Sequence, residues 1–258
     1  MSEKILEAID VTKIYGIRTE NPVTALKDVS LKINKGDFVC IMGPSGSGKS
    51  TLIHAISTID LPSKGKVIIY EKEIRQMSER EMGNFRYENL GFIFQDFNLL
   101  DALTVFENIA VPLTLKGFKQ QEIKEKVDEV ATKLGIEDLI SKYPGECSGG
   151  QRQRVAICRA LISKPKLIVA DEPTGNLDSA NSHELLSLFK ELNDIEGVSI
   201  IMVTHDAAIA SYSSKLLYLK DGKINATIER KTMSQKDYFY KIVEINSSDN
   251  LALFLENE

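Results

Sequence analysis

A chain of 258 residues with 43% apolar and 27% charged residues has an ordinary globular composition and is long enough to bury a sizeable core. Its net charge of −5 gives no basic field for nucleic acid, and three cysteines, odd in number and without a Cys-x-x-Cys pair, supply neither a disulfide framework nor a zinc site. No apolar run approaches the ~18 residues of a membrane span, and Met1 Ser2 Glu3 Lys4 lacks a basic segment followed by an apolar one, so a cytoplasmic chain is expected.

In chain order, residues 4 to 33 carry short strand-like runs, Ile5 to Val11 and Leu31 to Ile33, broken by the polar segment Gly16 to Pro22. They predict a small antiparallel sheet. Phe38 to Met42 is short, apolar and bounded by Gly36, as a buried parallel strand would be, and a helix-compatible run, Lys49 to Ile59, lies beyond it. Between them, Gly43 Pro44 Ser45 Gly46 Ser47 Gly48 Lys49 Ser50 fits Gly, any four, Gly, Lys, Ser or Thr. The alternative is a plain Gly-Ser turn, but strand before and helix after are the context a phosphate-binding loop requires. Glycines let consecutive N–H groups point inward around an anion, and the helix N-terminus adds a favourable dipole. Lys49 then reaches the β- and γ-phosphates and the Ser50 hydroxyl is available to Mg²⁺. Beside such a site Tyr15 either stacks on an adenine ring or covers the sheet edge.

Pro62 and Gly65 mark a turn before a strand at Val67 to Tyr70. The apolar run Leu90 to Phe94 ends in Gln95 and Asp96; Gln95 is either an Mg²⁺ ligand at a strand end or a surface amide closing the strand. From Val105 to Tyr143 the period turns helical, with Ile123, Val127, Val130, Ala131 and Leu134 recurring among charges, so residues 96–147 are expected to form a mostly helical lobe. Phe92, Phe94, Phe97, Leu99, Leu100 and Phe106 at its junction serve either the core or a partner. Ser148 Gly149 Gly150 Gln151 opens a second helix and is either an anion site or a plain helix-starting turn. One domain seldom needs two such loops; if both serve one nucleotide, two copies related by a two-fold axis share them.

Leu167 to Ala170 is an apolar strand ending in Asp171 and Glu172, and in open parallel sheets ligands sit at that carboxyl end. Two adjacent acids permit two roles, with Asp171 completing an Mg²⁺ shell while Glu172 polarises water. Gly175 to Asp178 turns into a helix over Asn181 to Ile195, and the buried strand Ser199 to Val203 runs to Thr204 and His205, a γ-phosphate contact by position. Lys215 to Leu219 and Lys223 to Ile228 form a hairpin about Asp221 Gly222.

In this order, Tyr15, the Gly43 to Ser50 loop, Gln95, Ser148 to Gln151, Asp171 Glu172, Asn176 Leu177 Asp178 and His205 resemble the nucleotide-binding subunit of an ABC transporter, over residues 4 to about 228. The resemblance implies an α/β P-loop NTPase core with a mainly parallel sheet, an N-terminal antiparallel β subdomain and an inserted α-helical subdomain. Residues 1–228 would be this ATPase domain and 229–258 a helical tail, whose Tyr238, Phe239, Ile242 and Val243 either cover the domain or touch a partner. The family implies that Tyr15 stacks on adenine, that Gly43 to Ser50 with Thr51 hold the phosphates, and that Ser50, Gln95 and Asp171 surround Mg²⁺. It makes Glu172 the general base and His205 the γ-phosphate contact. Ser148, Gly149, Gly150 and Gln151 would reach the ATP of a second copy in a head-to-tail dimer, and Asp178 would be a further nucleotide-binding residue. Cys147 stands where the family usually has Leu, an apolar and slightly smaller replacement.

The phrases Gly91 to Leu100, Thr104 to Asn108 and Ala170 to Asp178 resemble the branch of macrolide exporters, lipoprotein-release and cell-division complexes. Ile56 to Asp60 and the tail look most like ATPases of bacitracin-type peptide-antibiotic resistance modules. The expectation is an ATPase docked on the inner face of the membrane through a permease, with a sensor histidine kinase as a further partner and no nucleic acid. An ABC-type ATPase acting on DNA or the ribosome is the alternative, which the short helical lobe and acidic charge disfavour.

Overall fold

The computed structural model describes residues 3–255, with side chains to residue 247. In chain order the elements are β1 (Lys4–Tyr15), β2 (Val23–Asn34), β3 (Phe38–Met42), α1 (Lys49–Ile56), β4 (Lys64–Ile69), β5 (Lys72–Glu73), α2 (Glu79–Asn89), β6 (Leu90–Ile93) and α3 (Val105–Leu115). There follow α4 (Gln120–Lys133), α5 (Gly149–Leu161), β7 (Leu167–Asp171), α6 (Ser179–Asp194), β8 (Ser199–Val203), α7 (Ala207–Ala210), β9 (Lys215–Lys220), β10 (Lys223–Glu229) and α8 (Gln235–Leu255). They fall into two compact units, Met1–Gln76 with Ile201–Glu258, and Met77–Ile200.

In the first unit an antiparallel sheet runs in the order β2-β1-β4-β5. Val29, Leu31 and Ile33 are buried and alternate with exposed Ser30 and Lys32, the period of two that a half-buried strand needs. Both long strands exceed the apolar runs that predict them. Register shifts near Asp10 and Asp28, left-handed at φ 47 and 52, carry the pairing through polar residues where apolar alternation breaks off. A β-carbon at Gly65 would stand 2.3 Å from the Asp10 carbonyl, so the approach of β4 to this irregularity requires glycine.

The strands of the same unit's second sheet run in the order β10-β9-β3-β8. β3 is buried along its whole length, as a strand covered on both faces must be, and lies parallel to β9 from Val39 opposite Lys215 to Met42 opposite Tyr218. β9 and β10 form the expected hairpin, with Asp221 and Gly222 both left-handed as a type I′ turn demands. α8 packs on α7. Its Tyr238 and Ile242, one turn apart, are fully buried, and the Tyr238 hydroxyl lies 3.5 Å from Ile228 O. These two residues therefore cover their own unit, while Tyr240 is exposed.

In the second unit β6 runs parallel to β7, Leu90 opposite Leu167 through Ile93 opposite Ala170. α5 passes over β6 so closely that a β-carbon on Gly91 would meet Ala160 O at 2.7 Å. α4 buries Ile123, Val127, Val130 and Ala131, the stripe its period predicts; each large side chain among them contributes roughly 1.5–3 kcal/mol. Periodicity leaves α2 unassigned because only Phe85 and Asn89 of its residues are buried. A Ser78/Glu81 capping box starts it instead. α6 begins two residues before the apolar period suggests, because Asp178 caps it through Asn181 N at 2.9 Å. Cys40 and Cys158 are free, fully buried core residues whose thiol pKa burial pushes well above the usual value.

Candidate functional site

The first unit contains Tyr15, the 43–51 loop and His205. Gly43 is irreplaceable by local sterics, since its β-carbon would fall 1.9 Å from Leu219 O. Gly48 at φ 100 would drive one to 2.6 Å from Ala25 O, whereas Gly46 at φ 77 faces open space. Pro44, Ser45, Gly46 and Ser50 are exposed, Thr51 half-buried, and the loop opens directly into α1 with Gly48 at its cap position. The Lys49 side chain is buried and folds across the loop, its ammonium donating to Gly43 O at 3.0 Å and Pro44 O at 2.9 Å. Beside it the Ser47 hydroxyl is buried with no hydrogen-bond partner. A glycine cradle, a cation and an unanswered hydroxyl at a helix N-terminus fit a polyphosphate.

Tyr15 is 41% exposed. Its hydroxyl donates to Asp60 Oδ2 at 3.1 Å, Asp60 also pairs with Lys13, and Lys13 Nζ stands 5.1 Å from the ring centroid. The ring is thus held in place with much of its surface in water, which is the condition for stacking. His205 is exposed just past β8, and Thr204 N donates to Ile41 O at 3.2 Å, which sets the exits of β3 and β8 side by side.

The second unit assembles Gln95, Ser148 to Gln151, Asp171, Glu172 and Asp178. Asp171 ends β7 half-buried, and Glu172 follows with φ 45, a left-handed turn. Gly175 N returns to Glu172 O at 3.1 Å. A β-carbon at Gly175 would lie 3.9 Å from Glu172 Oε2 and 4.0 Å from Gln95 Nε2, so the amide and the carboxylate flank this glycine. Asn176 Nδ2 donates to Gln95 O at 2.8 Å and closes the arrangement. Ser148 caps α5 reciprocally with Gln151, Gln151 N to Ser148 Oγ at 3.3 Å and Ser148 N to Gln151 Oε1 at 2.9 Å. Cys147 fills the buried slot before it, its thiol against Tyr143 O at 3.6 Å and its pKa raised by burial. Hydrogen bonds from Asn181 N–H and its side-chain amide hold the Asp178 carboxyl below the usual carboxylate range.

Among the described residues no three His, Cys, Asp or Glu side chains converge as a dedicated metal cage. Taken one by one, the Ser50 hydroxyl, the Gln95 amide and the Asp171 carboxylate each offer the oxygen donor that Mg²⁺ accepts. Of the aromatic junction cluster, Phe97 is buried, Phe92 and Phe94 stack with ring centroids 5.8 Å apart, and Leu100 is 50% exposed. It serves both core and surface.

Sequence reasoning misses two supports. The Asp221-Gly222 turn braces the phosphate loop, Gly222 N donating to Ser47 O at 3.1 Å and Gly222 O accepting from Lys27 N at 2.9 Å. An Asp-Gly pair signals the turn but nothing signals what it leans on. The segment after Gln95 is gripped from α5, where the Arg159 guanidinium donates to Phe97 O at 2.7 Å and to Asn98 O, and Arg152 lies 5.4 Å over the Phe97 ring.

Residues 26–175 match the ABC transporter family. The chain is 44% identical to the bacitracin export ATP-binding protein BceA of Halalkalibacterium halodurans over 93% of its own length and 94% of that protein. It is 45% identical to the lipoprotein-releasing system ATP-binding protein LolD of Aquifex aeolicus over 80% of its length and 91% of that protein. A dimeric structure of the ATP-binding cassette MJ0796, in a post-hydrolysis state bound to ADP and Pi, superposes with a TM-score of 0.83 at 38% identity, covering 87% of this chain and 98% of that one.

Proposed function

From the premise that this chain belongs to the ABC transporter family and is an ATP-binding ATPase, we propose that it drives a membrane permease in export of, or resistance to, bacitracin-like antimicrobial peptides. The observation that carries the reading is near full-length similarity to a bacitracin export ATP-binding protein. Similarity to a lipoprotein-releasing subunit supports a second reading, the same ATPase serving a lipoprotein-release complex. Among the described residues no helix is long and apolar enough to cross a membrane; in this reading the chain sits at the inner face through its permease.

In this reading Tyr15 stacks on adenine, and Lys49 exchanges the carbonyls of Gly43 and Pro44 for phosphate oxygens, a swap of neutral acceptors for charged ones that favours the nucleotide. Ser50, Gln95 and Asp171 would hold Mg²⁺, which neutralises charge on the β- and γ-phosphates when bound. Glu172 takes the proton of the attacking water and His205 donates to the γ-phosphate. Two copies meet head to tail, with Ser148 to Gln151 and Asp178 of one against the ATP held by the other. The N-terminus of α5 contributes the same N–H and dipole attraction as the phosphate loop. Closure is favourable while γ-phosphate joins the two loops, so hydrolysis removes the shared contact and reopens the pair.

The test is bacitracin susceptibility in a strain deleted for this chain. Wild-type complementation is expected to restore resistance and Glu172→Gln to fail. Full resistance without the chain, or with the Glu172→Gln chain, would overturn the assignment.

A further inference from the structure

We propose that Arg159 is a positioning residue for hydrolysis, one that holds the Gln95 segment in a single conformation and ties it to the helix opening at Ser148. Phe97 and Asn98 are consecutive non-glycine residues in the left-handed region, at φ 59 and 48. Side-chain sterics disfavour that conformation, and it persists where surrounding contacts impose it. Here the contacts are identifiable. Arg159, near the end of α5, donates to both Phe97 O and Asn98 O, and burial draws its guanidinium pKa down, although a guanidinium keeps its proton in proteins. A charged donor on two carbonyls is among the stronger hydrogen-bond arrangements available to a loop. Arg152, one turn into the same helix, lies over the Phe97 ring, and Asn176 Nδ2 holds Gln95 O from the other end.

Gln95 to Asn98 is therefore fixed at three main-chain carbonyls while the Gln95 side chain takes no part in these bonds. The same helix carries Ser148 to Gln151 at its start, so a displacement there is transmitted along a rigid rod to the carbonyls of Phe97 and Asn98. Arg159 in this account touches neither nucleotide nor metal; it acts through the loop. The inference rests on the proposed role of Gln95 in hydrolysis.

The experiment measures steady-state ATP hydrolysis and ATP affinity of the purified full chain, with hydrogen exchange at residues 95–100. Gln95→Ala sets the scale. Arg159→Ala is expected to lower kcat about tenfold or more, with KM for ATP within about twofold of wild type because the phosphate loop is untouched. Arg159→Lys, which satisfies one carbonyl at a time, falls between. Adding Asn98→Gly to Arg159→Ala is expected to recover part of kcat, since glycine adopts the left-handed conformation unaided. Amides of 96–99 exchange faster in Arg159→Lys while those of α5 do not change; this local readout carries the test if Arg159→Ala fails to fold. Wild-type kcat in Arg159→Ala beside an impaired Gln95→Ala would overturn the inference alone. A general loss of exchange protection without rescue by Asn98→Gly would reduce Arg159 to a packing residue and overturn it likewise. Wild-type kcat in Gln95→Ala would instead overturn the role of Gln95, and the inference with it.

Discussion

Glu172 is turned out of β7 by its left-handed backbone and held beside Gln95 by the turn that Gly175 makes. Replacing its carboxylate by an amide keeps this shape and removes the group proposed to accept the proton. Glu172→Gln is accordingly expected to bind ATP within about twofold of wild type, hydrolyse it about a hundredfold more slowly or worse, and accumulate as a dimer in size-exclusion chromatography with ATP and Mg²⁺. Wild-type turnover would remove Glu172 from the role of base. The acids and the loop glycines stood out as candidates because their chemistry and spacing travel together in the sequence, whereas Tyr15 took a role only from the family resemblance. Arg159, and the hold of Asn176 on Gln95, were not, because each side chain grips a main-chain carbonyl tens of residues away, and a carbonyl carries no sequence signal.

Among the elements, the β9–β10 hairpin shows how a turn that is easy to find hides its purpose. Gly222 is left-handed at φ 76, and a β-carbon there would meet Ala25 O at 2.7 Å while its N–H serves Ser47 O. Gly222→Ala must therefore push β2 away from the phosphate loop or give up the brace. The expected outcome is a loss of about 2 kcal/mol, a melting temperature lower by roughly 4–8 °C, and weaker ATP binding, measured by thermal unfolding with and without nucleotide. An unchanged affinity would show the loop to be self-supporting. Buried strands such as β3 were readable as continuous apolar runs, and α4 by its period. α2 escaped because its stability lies in a capping box and two buried side chains, and β1 and β2 outran their apolar runs because shifts in register at Asp10 and Asp28 let polar residues stay in the ladder.

Across the whole molecule, no motif except the phosphate loop is strong alone, and it is the ordered set that identifies the family. The fold follows from that order, since apolar strands followed by polar or glycine-rich exits place chemistry at strand ends and helix starts. The cargo left no comparable trace in the chain, because a permease would handle it and the residues that recognise it would lie there. The most direct measurement of the central claim is to tag Glu172→Gln, solubilise membranes mildly with ATP and Mg²⁺ present, and identify what co-purifies. The account predicts a multi-span permease with a large extracellular domain, alone or with a sensor kinase. Recovery with ribosomes or DNA and no membrane protein would contradict it.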